Sequence, residues 1–334
     1  MDFLQEYVNF LKNNGERIRR SITISHDDPA YYFFKENLMQ HFYPLEEACK
    51  PPIEVSATDG SEFSRELFNG QKFVVTRAVA IQGNEVETVS SFHLLNVDRE
   101  DKSELVKRIM EQDEHRVTKN MITKHKPGIC ILDGSFSGRM YWGKRNLRTD
   151  LKPDIFTTYQ KEFNEMIQKI REKETILIYI GKTSDTSVFK RYLMSISKEI
   201  PEEIKTRSIT DHLLIRSLAD FPGYTEPLEN EFRLNQEETI KYYTTHILPS
   251  KEDTPMKLDI IIPSSSDYEL KDIISWLMWA YTGLSNHNLW ISIADKKVKF
   301  SKSETEDVLM KMFFKTADNE LIETRGERRA RIRF

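Results

Sequence analysis

The sequence predicts an α/β fold, a mixed sheet with helices as crossovers and further helical elaborations at both ends. Three observations carry this reading. Two apolar, β-leaning runs each end in Asp-Gly-Ser: Ile53–Thr58 runs into Asp59-Gly60-Ser61, and Ile129–Leu132 into Asp133-Gly134-Ser135. Two further strand-like runs, 73–81 and 86–97, flank a Gly83-Asn84 pair that reads as a hairpin. Helical patterns over 102–124 and 153–172 alternate with the second Asp-Gly-Ser strand and a strand over 175–180. The order over residues 52–180 is then β-β-β-α-β-α-β.

The other elements follow in chain order. Residues 2–20 carry Phe3, Leu4, Tyr7, Val8, Phe10 and Leu11 at helical spacing. Arg17, Arg19 and Arg20 close that helix where its dipole favours cations. A second, aromatic-rich helix, Ala30 to Tyr43, follows Asp27-Asp28-Pro29, and Pro51-Pro52 separates this region from the first Asp-Gly-Ser strand. Residues 1–50 read as a helical packing or dimerisation region. Beyond 180 the sequence predicts strands over 241–248 and 257–262 and a Trp- and Met-rich helix over 268–281. A short apolar run, 291–294, precedes Asp295, and an amphipathic helix covers 303–314. No repeat or long linker interrupts residues 51–334, which read as one elaborated domain.

Composition narrows the classes. With 39% hydrophobic residues and 11% aromatics the chain can build a sizeable core. Cys49 and Cys130 are too few for a disulfide framework or a cysteine-based zinc site. The N-terminus has no basic segment followed by an apolar core, and no uninterrupted apolar stretch approaches ~20 residues. A soluble, cytoplasmic protein is expected. The net charge of −4 excludes a broad basic footprint, although nucleases often confine positive potential to a groove beside an acidic centre. The stretch Arg325–Phe334 holds five arginines, which suit either phosphate contact or a water-facing edge strand.

The two aspartates are the chemical signal. An Asp at a strand end is aimed outward, and the Gly after it permits close approach of backbone or ligand. Either copy alone reads more readily as an Asp-Gly turn than as a site. As a pair with near-identical flanks they point to a shared divalent cation. Glu114 adds a third carboxylate, because it projects from the inward stripe of Val106, Met110, Val117 and Met121, with Glu104 and Glu111 off that stripe. A Glu on a buried face is expected to pair with a cation such as Arg77 or to ligate metal. Asp59, Glu114 and Asp133 form an all-oxygen set suited to Mg²⁺ or Mn²⁺ rather than zinc. Two such ions about 4 Å apart can activate water and stabilise the leaving oxygen of a phosphodiester. Carboxylates on strands one and four and on a helix form, by analogy of fold, the ribonuclease H-like arrangement.

On these residues the chain resembles the NurA family of DNA end-processing nucleases, which work beside the HerA hexameric ATPase. The resemblance rests on the first Asp-Gly-Ser, the hairpin, the helix with its inward Glu, and Ile131-Leu132-Asp133-Gly134-Ser135-Phe136. It continues in Tyr179-Ile180-Gly181-Lys182-Thr183-Ser184 and extends over residues 50–300. It implies a two-metal deoxyribonuclease with Asp59, Glu114 and Asp133 as ligands and Lys182 as the neutraliser of phosphate or transition-state charge. It further implies a homodimer that receives DNA from the ATPase, in end resection or in defence against foreign DNA. The family's Gly-Tyr-Pro and Ala-His segments are replaced by Asn286-His287-Asn288 and Ala294-Asp295. Asp295 is then the fourth ligand, while His287 stands near the Tyr position or serves as an ordinary surface or core His.

Other readings are weaker. A phosphatase with an Asp nucleophile needs a second Asp two residues on, and Ser61 and Ser135 occupy those places. A non-catalytic scaffold or DNA-binding subunit of the ATPase complex would be supported by the altered C-terminal motif. Gly181-Lys182-Thr183 mimics the end of a P-loop, but Ile176 stands where the leading Gly belongs and the strand runs to Gly181. Trp276, Met278, Trp279 and Tyr281 read as core rather than as a base-stacking platform, and His212 as structural.

Overall fold

Pairing and burial bear out the predicted alternation of strands and helices. The computed structural model describes residues 2–96, 101–143, 154–182, 184–234, 238–284, 287–317, 324–326 and 329. The chain begins with α1 (Phe3–Ile22), α2 (Pro29–Gln40) and β1 (Phe42–Pro44). Three long strands follow, β2 (Val55–Glu66), β3 (Lys72–Gln82) and β4 (Glu85–Leu95). Next come α3 (Lys102–His125), β5 (Ile129–Asp133), α4 (Phe136–Gly143), α5 (Ile155–Glu172) and β6 (Ile176–Gly181). Helices α6 (Val188–Ile196), α7 (Glu202–Thr206) and α8 (Asp211–Leu218) lead to β7 (Gly223–Thr225) and β8 (Leu228–Arg233). Then follow β9 (Thr239–Leu248), β10 (Met256–Ile261), α9 (Leu270–Trp279) and α10 (Leu289–Val298). A π-helical segment, Ser303–Met310, continues into α11 (Lys311–Thr316). No described helix is long and apolar enough to cross a membrane.

Several elements differ from the sequence reading. The second helix ends at Gln40 and the chain turns into β1, so it does not run to Tyr43. The apolar run 291–294 lies inside α10, whose N-cap Asn288 accepts from the Ile291 N–H at 3.1 Å. Helix α4 carries no clear helical signal in the sequence, because Ser137 and Gly138 lower its helix propensity. Short elements such as α7, β7 and β8 offer too few residues for a periodic pattern. Asn286 and most of the Arg325–Phe334 stretch lie outside the described residues.

The chain divides into two compact units, each assembled from several segments. The first takes the residues up to Ala48 with Gly181–Asn230 and Tyr243–Leu258. Its core gathers Phe34 and Leu38 of α2, Phe189 and Leu193 of α6, and Leu214, Ile215 and Leu218 of α8. Asp28 caps α2 by accepting from the Ala30 N–H at 2.9 Å and is paired with Arg207. Asp211 caps α6 from outside, accepting from the N–H groups of Phe189 (3.1 Å) and Lys190 (2.8 Å). No residue of α1 is buried.

The second unit comprises Cys49–Ile180, Glu231–Tyr242 and the residues from Asp259 onward. Its strands run in the order β10-β6-β5-β2-β3-β4. β2, β3 and β4 form an antiparallel meander, whereas β2, β5 and β6 are parallel. This is the expected ribonuclease H-like arrangement. α3 packs on β2, β3 and β4 and is covered in turn by α5, while α10 packs on β2 and β3. Ala78 and Ala80 of β3 leave room for Val117 and Met121 of α3. Leu132, Phe136, Phe163, Leu177 and Tyr179 fill the space between β5, β6 and α5.

Arg77 anchors α10 to the sheet. It donates to the carbonyls of Val298 (3.0 Å) and Lys299 (2.7 Å) at the end of α10 and to Glu304 Oε1 (2.9 Å). Hydrogen bonding from the Ser301 backbone, then from Arg77, holds the Glu304 carboxyl down at about 2, against an ordinary 4.5. A depressed carboxyl stabilises the fold above its unfolded value, and that stabilisation is lost as pH falls from 4.5 toward about 2. Glu304→Gln should therefore flatten the acid limb of stability across that window. Circular-dichroism melts at stepped pH check this, and an unchanged slope would exclude Glu304 as a contributor.

Candidate metal centre

Asp59 and Asp133 meet because β2 and β5 pair in parallel. The register joins Val55 with Ile129 and Thr58 with Leu132. One step further the two aspartates stand side by side on adjacent strands, with backbones about 5 Å apart. Each carboxylate accepts from the N–H of the glycine after it, Gly60 at 2.8 Å and Gly134 at 2.9 Å. The repeated tripeptide thus has a repeated hydrogen bond, and neither copy is a hairpin turn. The first copy does not end its strand, because pairing with β3 carries β2 on to Glu66. The second does end its strand, and Gly134 adopts φ +102°, a conformation open to glycine and strained for other residues.

Glu114 reaches the same region from α3 and is 3% exposed. Its partner is Arg139 of α4, not Arg77, which is occupied with α10 and Glu304. The Arg139 guanidinium also donates to the Asp133 carbonyl at 2.8 Å and lies 3.3 Å from His115 Nε2. Burial, together with Arg139, pushes the His115 imidazole well below its usual range, so it is neutral and can accept that hydrogen bond. Burial drives the Glu114 carboxyl up to about 8, opposed by Arg139 and reinforced by repulsion from Glu111 and Asp59. Gly60 makes this approach possible. A Cβ there would overlap Glu114 Oε1 and come within 2.7 Å of Met110 Cγ.

Glu111 is also buried, contrary to its place off the apolar stripe, because α5 covers that side of α3. It accepts from the Tyr159 hydroxyl at 2.9 Å. Asp113, which the sequence did not single out, is fully buried and accepts from Thr76 (2.6 Å) and Ser91 (2.7 Å). Its environment is a satisfied tie between α3 and the meander. Asp259 on β10 was missed as well. It is 2% exposed and takes hydrogen bonds from the segment directly after Asp133. Only an acidic residue inside an apolar strand pattern, Leu258-Asp259-Ile260, could have signalled it.

Asp295 lies on α10 and pairs with Lys299 at 2.6 Å. The Lys299 ammonium is held above its usual range by Asp295 and, more weakly, by Asp59, which puts the pair within electrostatic reach of Asp59. His287 precedes the N-cap of α10, about two helical turns before Asp295. Lys182 immediately follows β6, two residues after Ile180, the ladder partner of Asp133, and belongs to the first unit. His212, read as structural, lies on α8 with its ring 5.8 Å from that of His246, also in the first unit. Trp276 is core, as its spacing suggested, whereas Trp279 is partly exposed beside Trp290.

Among the described residues, no three His, Cys, Asp or Glu side chains converge into a ready metal cage. Glu114 is held by Arg139 instead. The donor chemistry nevertheless fits a hard divalent cation, since Asp59 raises the Glu114 carboxyl by repulsion that such an ion relieves.

A β-β-β-α-β-α-β core with aspartates on its two central parallel strands and a glutamate on the crossover helix defines the ribonuclease H-like class. Within it, the sequence profile described as "NurA domain" matches residues 53–300. The chain belongs to the NurA family. Among solved structures it is similar to the NurA nuclease from Sulfolobus solfataricus, at 13% identity and a TM-score of 0.65, covering 96% of this chain and 98% of that one. A NurA structure with manganese aligns at 12% identity and a TM-score of 0.55, over 92% of this chain and 97% of that one. A NurA bound to dAMP and manganese aligns at 13% and 0.55, over 91% and 93%. These likenesses establish the shared fold. No curated protein matches the chain.

Two substitutions test the packing of the centre. Gly60→Ala should lower stability by about 1–3 kcal/mol through overpacking against Met110 and Glu114. Arg139→Met should cost about 3–5 kcal/mol, since it leaves a buried carboxylate unpaired. Adding Glu114→Gln to Arg139→Met should recover much of that loss. Urea unfolding of the three variants checks both, and no recovery in the double variant would show that the pair is not the coupling.

Proposed function

We propose that the chain is a divalent-metal-dependent nuclease that hydrolyses DNA phosphodiester bonds, working with a HerA-type ATPase in end processing or defence against foreign DNA. The observation that carries this reading is the side-by-side placement of Asp59 and Asp133 with Glu114 behind them, in a chain of the NurA family. The manganese and dAMP named for the related structures support the same chemistry.

Asp59, Asp133 and Glu114 would hold two Mn²⁺ or Mg²⁺ ions, with Asp295 as a fourth ligand. When bound, such ions supply water activation and neutralisation of charge on the leaving oxygen. The protein's own part is positional. The Gly60 and Gly134 N–H groups orient the two aspartates, and Arg139 offsets the repulsion between Glu114 and its acidic neighbours in a buried setting. For Asp295 to join, its carboxylate must exchange Lys299 for the cation, a small cost because that pair is largely exposed. Lys182, just beyond β6, would meet a substrate phosphate.

A homodimer is supported by α1, on which Phe3 is 75% exposed and Leu4, Tyr7 and Phe10 are likewise exposed along one face. An apolar stripe of that kind is usually covered by a partner. Tyr7→Asp should then give a monomer by light scattering, and an unaltered mass would remove α1 from the interface. The ATPase partner is tested by co-purification of the full chain with a HerA-type hexamer.

The central experiment is cleavage of labelled linear duplex and single-stranded DNA with Mn²⁺. Asp133→Asn should lower the rate by at least about a hundredfold, the upper end of what a disturbed support costs a metal site. Equal cleavage by variant and wild type would reject the centre.

A further inference from the structure

We infer that Asp259 is a positioning residue for the metal centre, acting on Asp133 through the Ser135–Ser137 segment. This rests on the nuclease reading above. Asp259 sits on β10, separated from β5 by β6 in the strand order, and so reaches the Asp133 turn from beyond the neighbouring strand. Its buried Oδ2 accepts from Ser135 Oγ (3.0 Å), the Ser137 N–H (3.3 Å) and Ser137 Oγ (3.5 Å). Ser135 Oγ in turn accepts from the Gly138 N–H at 3.2 Å and lies 3.0 Å from Ser137 Oγ. Ser135 therefore caps α4 with its lone pair while its own proton is committed to Asp259.

The turn is pinned on its other side as well. The Gly134 N–H donates to the Ile180 carbonyl at 2.9 Å as well as to Asp133 Oδ1. Between these two anchors the backbone from Asp133 to Gly138 has little freedom, and Arg139, which grips Glu114, follows directly on α4. A buried carboxylate is a costly way to fill space. It is a strong way to hold the first turn of a helix, where N–H groups and hydroxyls converge and the dipole favours negative charge. The chain of bonds runs from Asp259 through Ser135 to the residue that bears the carboxylate, so loosening Asp259 loosens the orientation of Asp133.

The test uses the full chain and compares wild type with Asp259→Asn, Ser135→Ala and Ser135→Thr. Mn²⁺ affinity is read by electron paramagnetic resonance of the free ion, and cleavage kinetics are read alongside. Asp259→Asn and Ser135→Ala should weaken Mn²⁺ binding and lower kcat by about 10- to 100-fold, with KM for DNA within about twofold. Ser135→Thr, which keeps the hydroxyl, should restore both. A merely structural Asp259 would lower the melting temperature and leave kcat and Mn²⁺ affinity unchanged, and that result overturns the proposal. If Asp259→Asn does not fold, Ser135→Ala decides by the same readouts. A wild type that binds Mn²⁺ but cleaves nothing defeats the nuclease reading, while the Mn²⁺ comparison still decides the role of Asp259. A wild type that binds no Mn²⁺ overturns both.

Discussion

The buried pair of Glu114 and Arg139 is the constraint around which the larger unit is arranged. A carboxylate and a guanidinium, each about 5% exposed or less, cannot be left without one another in so dry a setting. Their meeting dictates that α4 turn back toward α3 immediately after β5. It dictates a glycine at position 60, because any side chain there would occupy the space of the Glu114 carboxylate. It also ties the helix that carries Glu114 to the carbonyl of Asp133, so helix and strand end are joined through one planar cation.

Around that pair the unit concentrates negative charge. Burial raises the Glu114 carboxyl, with added repulsion from Glu111 and Asp59, although Arg139 opposes the shift. Structural carboxylates elsewhere in the unit are treated differently. Asp113 is likewise raised by burial, but hydroxyl donors from Thr76 and Ser91 oppose the rise, and Asp259 accepts from hydroxyls and a helix N-terminus. The contrast separates carboxylates surrounded by hydrogen-bond donors from one that also has carboxylates beside it. Carboxylates gathered in this way have the donor chemistry that suits a hard cation.

Much of this was legible beforehand. The strand and helix order over 52–180, the pairing of the two Asp-Gly-Ser segments and the inward Glu114 all follow from period, turn residues and repetition. Legibility failed where a residue's environment comes from distant chain. Glu111 lies off the apolar stripe of α3, yet α5 buries it. Arg77, an expected partner of Glu114, caps α10 instead, and the true partner sits on a helix too short and too rich in Ser and Gly to show in the sequence. Asp259 carries only the local signal of an acidic residue inside an apolar strand, since its three donors lie more than a hundred residues away in sequence.

The sequence by itself determined the kind of element at each place, the carboxylates most worth attention and the glycines that admit close approach. These depend on local periodicity and on steric limits of the backbone, which neighbours in sequence suffice to set. Only the tertiary structure decided which cation answers Glu114, which carboxylates are satisfied and which segment braces Asp133. Such choices depend on desolvation and on hydrogen-bond geometry between segments far apart in the chain, quantities that exist only once α3, α4, α5 and β10 have packed.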